Sequence, residues 1–162
     1  MTDTGPAPAT ELDAAAHRRL GADLFNHVWT LIEKADRSAA ETDEMVHAAH
    51  ASRYHWSKGG TTANLGRGEW QVSRVYATLG RGEPALWHAR RCLAWTEAAI
   101  ADGTAEDWDL AGACEAMTRA SLVAGDLAAV VEWRAKARVA LDAIADPEDR
   151  AGIEQDLTDS EG

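Results

Sequence analysis

The chain has 162 residues and a net charge of −11, with 27 acidic side chains against 16 basic ones. This length suits one domain with a core of its own. The acidic balance favours solubility and argues against non-specific nucleic-acid binding, which needs a basic surface. No apolar run reaches the roughly 18 residues of a membrane span, and no basic-then-apolar signal opens the chain. We therefore expect a cytoplasmic protein that binds neither membranes nor nucleic acid.

The prediction for the whole chain is an all-α fold. Val and Ile are sparse, and no segment alternates apolar and polar residues over more than a few positions, which argues against strands. Residues 1–10 are rich in Pro, Ala and Thr and are expected to form a disordered leader. A single helical domain is expected over 11–157, followed by a frayed tail over 158–162.

Capping and breaking residues divide this domain into six long helices and one short terminal helix. Thr10 is expected to cap the first helix, Ser38 with Glu41 the second, and Thr104 the fifth, and Asp146-Pro147 is expected to start the seventh. Gly66 and Gly68 must be tolerated near the start of the third helix. The expected apolar stripe of the sixth helix is Leu127, Val130, Val131, Leu141 and Ile144.

The turns within hairpins recur at a constant spacing. They fall near Ala35, Gly80 and Gly125, which is one turn every 45 residues. Equal spacing predicts three structurally equivalent units, each an antiparallel helical hairpin that cannot bury its apolar face alone. The expected architecture is therefore three consecutive hairpins plus a short C-terminal helix.

The middle hairpin resembles a tetratricopeptide repeat. The run Tyr76, Gly80, Ala85, Ala89 and Cys92 follows the pattern Y-x3-G-x4-A-x3-small-x2-small. Because that repeat has a period of about 34 residues, the helices here must be longer. The segments 47–56, 67–76 and 83–89 also resemble a group of small uncharacterised bacterial proteins. That resemblance implies a bacterial protein with a repeat-like helical fold, and it supplies no activity.

One stripe of the third helix is the first candidate site. Arg67, Trp70, Gln71 and Arg74 stand at i, i+3, i+4 and i+7. In a tetratricopeptide-like hairpin this helix lines the concave groove. Guanidiniums beside an indole suit an acidic peptide or a small anionic ligand, and the alternative is a solvated stripe or pairing with Glu69 and other acids. The predicted ligand-binding set also includes two residues of the second helix, Arg53 and Tyr54.

A metal site is the second candidate. Glu44, His47 and His50 lie on the second helix, and Glu44-x-x-His47 is a unit that carboxylate-bridged di-iron bundles use twice. Imidazoles and carboxylates suit a transition metal, which is a possible cofactor but not the favoured interpretation. The alternative is ordinary histidine packing between helices.

Acid–base chemistry is the third candidate, because histidine titrates near neutrality. The candidate residues are His50, His55, Glu69 and His88. The leading hypothesis is a helical-repeat binding module with a central groove. The alternative is a small metal-dependent or histidine acid–base enzyme with its site between the second, third and fourth helices. A structural homodimer is also possible. Convergence of these four residues and Arg74 on one cavity would favour the enzyme.

Overall fold

The computed structural model describes residues 11–159, and within them the chain forms seven α-helices and no strand. The predicted leader and residues 160–162 of the predicted tail lie outside the described part, whereas the last helix includes Thr158 and Asp159. The helices are α1 Ala14–Ile32, α2 Ala39–Gly59, α3 Thr62–Thr78, α4 Gly82–Asp102, α5 Asp109–Ala124, α6 Leu127–Leu141 and α7 Pro147–Asp159. The all-α class is confirmed.

Side-chain caps begin most of the helices. Ser38 and Glu41 form the expected capping box of α2. Asp13 caps α1 by accepting a hydrogen bond from the Ala16 amide, and the predicted cap Thr10 lies outside the described residues. The fifth helix also begins later than predicted, at Asp109. The Thr104 hydroxyl does not cap it, because it donates to the Asp102 carboxylate instead.

Three glycines make sharp turns, and two of them, Gly80 and Gly125, stand at turns that the spacing of 45 residues predicts. Gly80, Gly103 and Gly125 have φ angles of 69°, 76° and 78°, in the left-handed region that glycine adopts without strain. Gly103 and Gly125 are the C-caps of α4 and α5. The turns at Gly80 and Gly125 lie within hairpins, and Gly103 separates the second hairpin from the third.

The helices pack as three consecutive antiparallel hairpins, α1–α2, α3–α4 and α5–α6, which confirms the predicted arrangement. Each hairpin stacks on the next through α2 against α3 and α4 against α5. The first helices of the hairpins also contact one another, α1 with α3 and α3 with α5, and α7 packs against α5 and α6. We call the side formed by α1, α3, α5 and α7 the inner side, and the side of α2 and α4 the outer side.

Two glycines let α3 approach both neighbours closely. A Cβ added to Gly66 would lie 3.2 Å from Thr96 Oγ1 of α4, and one added to Gly68 would lie 2.7 Å from Arg53 Cδ of α2. These glycines therefore have a packing role that offsets their low helix propensity. The close approach sets the positions of the α3 side chains on both sides of the helix.

Substitutions of two other glycines, Gly112 and Gly82, test whether close packing against a neighbouring helix decides the effect of an added Cβ. A Cβ at Gly112, in the first turn of α5, meets no atom within 4 Å, so we expect Gly112→Ala to raise the free energy of unfolding by about 0.5–1 kcal/mol. A Cβ at Gly82 would lie 2.6 Å from the Ala124 Cα, so Gly82→Ala should lower the free energy of unfolding by about 2 kcal/mol. Urea denaturation measures both changes, and equal effects of the two substitutions would contradict this account.

Within residues 11–159, no helix is long and apolar enough to cross a lipid bilayer.

Candidate functional site

The candidate residues of α3 separate onto the two sides of that helix. Arg67, Trp70 and Arg74 face α1, α5 and α7 on the inner side. Glu69 and Tyr76 meet side chains of α2 and α4 on the outer side. The predicted residues therefore belong to two distinct places, which we call the inner cavity and the outer cluster.

The inner cavity has a volume of about 430 Å³. Its walls come from α1, α3, α4, α5 and α7, and they are largely aromatic and apolar. The aromatic and aliphatic lining residues are Phe25, Trp29, Trp70, Trp108 and Ile153. Cys92 also lines the cavity, and burial raises the pKa of its thiol to about 12, so it is not a thiolate near neutral pH.

Arg67 lines this cavity but is already paired. Its Nε and Nη2 donate to the two carboxylate oxygens of Asp109, at 2.9 and 2.8 Å. The guanidinium also lies over the Trp108 ring, 4.3 Å from the ring centroid. A buried carboxylate thus holds the guanidinium in a two-pronged pair, with an indole against its face.

Arg74 is paired in the same way with α7. Its Nη1 and Nη2 donate to Asp156 at 2.8 and 2.7 Å, and its Cζ lies 5.1 Å from the Trp29 centroid and 5.5 Å from the Trp70 centroid. The alternative that sequence analysis left open, intramolecular pairing of the stripe, therefore applies to both arginines. The acids are Asp109 and Asp156, however, and not Glu69.

Two carboxylates that line the cavity have no positive partner within the described residues. They are Glu148 and Asp149, both exposed in the first turn of α7. The Arg67–Asp109 and Arg74–Asp156 pairs each sum to zero charge. Counted together with Arg74, the partner of the lining residue Asp156, the lining therefore carries two negative charges in excess.

The remaining residues of the predicted ligand-binding set lie away from this cavity. Gln71 is buried, and its Nε2 donates to the Phe25 carbonyl at 2.8 Å, which ties α3 to α1. Arg53 belongs to the outer cluster, and the exposed Tyr54 lies on the same helix.

Trp70, in contrast, lines the inner cavity. Its ring is held in place, because its Nε1 donates a hydrogen bond to the buried Glu115 carboxylate at 3.2 Å.

Glu69 is the centre of the outer cluster. Its Oε1 accepts hydrogen bonds from Arg53 Nε at 2.9 Å and from Arg91 Nε at 3.2 Å, and its Oε2 accepts one from His88 Nδ1 at 2.7 Å. Burial raises the pKa of Glu69, but the hydrogen bond from His88 and the charge of Arg53 outweigh it and hold the pKa below its ordinary value. Glu69 is thus a carboxylate that joins α2, α3 and α4.

His50 and Tyr76 complete the outer cluster. His50 Nε2 and the Tyr76 hydroxyl share a hydrogen bond of 3.0 Å, and the ring centroids of His50 and His88 are 5.3 Å apart. The Tyr76 ring is stacked on the His88 ring. Two imidazoles, a phenol and a carboxylate can hold and transfer protons here.

Three of the four acid–base candidates therefore meet, namely His50, Glu69 and His88. His55 is not among them, because its Nδ1 lies 2.8 Å from His17 Nδ1 of α1. Arg74 points to the opposite side of α3. The five residues whose convergence would favour an enzyme do not share one cavity.

The candidate metal ligands are not brought together either. Glu44 Oε1 lies 2.8 Å from His27 Nε2, and His50 is bonded to Tyr76. Among residues 11–159, no group of three or more His, Cys, Asp or Glu side chains has the geometry to hold a metal ion. The i, i+3 spacing of His47 and His50 places them on one helix face, but no neighbouring helix supplies the further ligand.

Several residues of the two sites were not predicted from the sequence. Arg91 stands three residues after His88, so helical spacing could have identified it. Asp109 and Asp156 lie 42 and 82 residues from their arginines, and no local pattern connects residues so far apart. Trp29 and Trp108 were also absent from the predicted sites.

Comparisons of the chain with protein-family models, with curated proteins and with solved structures give no match. The functional argument therefore depends on the geometry and charge of the two sites.

The outer cluster predicts a dependence of stability on pH. Burial lowers the pKa of His50 below its ordinary value of 6.5, and the neighbouring His88 lowers it further. Unfolding then takes up a proton at His50, so stability is full above about pH 6.5 and is lost as the pH falls through 6.5 toward the folded-state pKa. We expect His50→Gln to lose less stability than the parent between about pH 7 and pH 5. Urea midpoints measured at both values test this, and identical losses would contradict it.

Proposed function

We propose that this chain is a binding protein whose inner cavity takes a small organic cation with a flat, apolar body. The observation that carries the proposal is the composition of the cavity lining. Its walls are aromatic, its lining arginine Arg67 is paired with Asp109, and two further carboxylates at Glu148 and Asp149 have no positive partner within the described residues. A largely apolar pocket with a few charged groups is a typical small-molecule site.

The state of the arginines argues against an anion at this place. An anionic ligand would have to compete with Asp109 for Arg67 or with Asp156 for Arg74. Both carboxylates would then lose the partner that compensates their partial burial, which is unfavourable. A cation needs no such exchange, because Glu148 and Asp149 offer free negative charge and the whole chain carries −11.

The aromatic walls supply the rest of the affinity. Trp29 and Trp70 have ring centroids 5.6 Å apart and are tilted against each other by 45°, and Trp108, the residue before α5, also lines the cavity. Indole rings bury large apolar areas of a flat ligand. Because guanidiniums already lie over the Trp29, Trp70 and Trp108 rings, the cationic group of the ligand would be bound by the carboxylates of α7. A planar amine or guanidine would match both properties.

The other predictions from the sequence are kept as proposals in addition to the organic cation. An acidic peptide or a small anionic ligand at the α3 stripe is the competing ligand class. The stacked hairpins support the tetratricopeptide-like interpretation, with helices longer than in that repeat. The sequence also leads us to expect a bacterial, cytoplasmic protein and allows a homodimer. The alternative function, a histidine acid–base enzyme, would use Glu69 and His88.

Isothermal titration calorimetry with two probes of matched size tests the sign of the ligand charge. We expect 1-naphthylmethylammonium to bind and 1-naphthoate to bind at least about tenfold more weakly. The double substitution Glu148→Gln with Asp149→Asn should remove most of this preference. Tighter binding of 1-naphthoate would overturn the cation proposal in favour of the anionic ligand.

Gly112 offers a matched control for the location. It lines the cavity, and a Cβ there points into open space. Gly112→Phe should therefore fill the cavity and abolish probe binding, whereas Gly112→Ala should leave it almost unchanged. Retained binding in a folded Gly112→Phe variant would show that the probe binds elsewhere.

A further inference from the structure

We propose that the outer cluster is a second binding site, in which the guanidiniums of Arg53 and Arg91 take the phosphate group of a small molecule. This inference does not depend on the function proposed for the inner cavity, because the two sites lie on opposite sides of α3 and share no residue.

The first argument is the balance of charge. Arg53 and Arg91 both donate through Nε to the same oxygen of Glu69, and no other carboxylate bonds to either guanidinium within the described residues. Two positive charges and one negative charge leave a surplus of one before either histidine is protonated. In a chain with a net charge of −11, this is a local positive site that an anion would neutralise.

The second argument is the supply of unused donors. Only the Nε atoms are bonded to Glu69, and the Nη atoms of both arginines make no hydrogen bond within residues 11–159. The four Nη atoms are not among the buried side-chain atoms that lack a hydrogen-bond partner. The Arg53 side chain is 15% exposed, and the Arg91 side chain is 41% exposed. Four donor nitrogens are therefore accessible to a ligand from solvent.

The third argument is that both guanidiniums are held in place before any ligand arrives. The nearly buried Glu69 carboxylate fixes their Nε ends. Arg91 lies over the Trp87 ring at 4.8 Å from its centroid, and Arg53 lies 5.8 Å from the Trp95 centroid. Donors fixed in this way lose little conformational entropy on binding.

The number of donors favours phosphate over carboxylate. A carboxylate has two oxygens and can satisfy one guanidinium fork, as Asp109 does for Arg67. A phosphate monoester offers three acceptor oxygens and up to two negative charges. His50 and His88 stand beside Glu69, so their resonances report on a ligand at the two guanidiniums. The net negative charge of the chain disfavours a long polyanion such as nucleic acid, so the phosphate belongs to a small molecule or is free.

Titration of the full-length protein with inorganic phosphate and with phenyl phosphate tests the proposal. The readout is the chemical shift of the His50 and His88 Cε1–H resonances, assigned with His50→Gln and His88→Gln. We expect saturable shifts with both compounds. Tighter binding of phenyl phosphate would identify an organic monoester that contacts the half-exposed Trp87, and equal binding would identify the phosphate group alone.

Two variants locate the site. Arg91→Gln should weaken phosphate binding about tenfold, which is the loss expected for a charge-assisted hydrogen bond. Arg90→Gln, the matched loss of an exposed arginine from the same helix, should leave phosphate binding unchanged. Arg91 is the more exposed of the two cluster arginines, so its variant is the safer one for folding. Absence of saturable shifts, or equal effects of Arg91→Gln and Arg90→Gln, would overturn the proposal.

Discussion

We expect Glu69→Ala to lower the free energy of unfolding by about 3 kcal/mol, a large fraction of the stability of a domain of this size. Glu69 is buried and accepts hydrogen bonds from one side chain of α2 and two of α4. Its removal leaves Arg53 and Arg91 facing each other without the carboxylate between them. The repulsion and the lost hydrogen bonds both act where the first hairpin meets the second.

Urea denaturation of Glu69→Ala and of Glu44→Ala provides the comparison. Glu44 pairs with His27 on the exposed surface, and such pairs contribute little, so Glu44→Ala should change the free energy of unfolding by less than about 1 kcal/mol. If the two substitutions have similar effects, Glu69 does not have the structural role that its three partners indicate.

Arg119→Met should also destabilise the protein strongly, by about 3 kcal/mol. Arg119 donates through Nη2 to Glu115 at 2.7 Å, and the Glu115 side chain is 1% exposed. Burial raises the pKa of Glu115, and the charge of Arg119 opposes that rise. Without the guanidinium, the carboxylate must remain charged in an apolar environment or take up a proton, and both are unfavourable.

A second substitution should rescue that loss. Arg119 Nε and Nη1 are buried and make no hydrogen bond within the described residues, so the pair is incompletely satisfied. Arg119→Met combined with Glu115→Gln removes both charges and keeps an acceptor for Trp70 Nε1. We expect the double variant to recover at least about 2 kcal/mol of the loss. Additive destabilisation in urea denaturation would show that the ion pair is itself strongly stabilising.

The parts of the fold that the sequence predicts correctly are those set by local interactions. The capping box at Ser38 and Glu41 and the glycine turns at Gly80 and Gly125 each depend on residues a few positions apart. The hairpin order follows from the spacing of the turns. The start of α5 was predicted too early, since Thr104 bonds to Asp102 and leaves α5 to begin at Asp109.

The sixth helix shows where periodicity fails. Val130, Leu141 and Ile144 of the predicted apolar stripe are buried, but Leu127 and Val131 are 66% and 68% exposed. Helix α6 belongs to the last hairpin and packs only against α5 and α7, so one part of its apolar surface has no neighbour within the described residues. Sequence periodicity gives the width of an apolar stripe, whereas burial depends on which neighbours exist.

The candidate sites were predictable only in part, because sites combine residues that are distant in sequence. The stripe of Arg67, Trp70 and Arg74 shares one side of α3 as expected. The carboxylates that neutralise its arginines come from α5 and α7, and they are the reason why we propose a cationic ligand instead of an anionic one. On the outer side, histidine density indicated the region, but the central role of Glu69 appears only once α2 and α4 are placed beside α3.

The most direct test of the proposed function follows the indole Nε1–H resonances of the seven tryptophans in a nitrogen-15 correlation spectrum during titration with 1-naphthylmethylammonium. We expect the signals of the three tryptophans that line the inner cavity, Trp29, Trp70 and Trp108, to shift and saturate together. The signals of Trp56, Trp87, Trp95 and Trp133 should stay in place. Shifts confined to those four, or no shift in the three cavity tryptophans, would contradict the assignment of the inner cavity as a binding site for an organic cation.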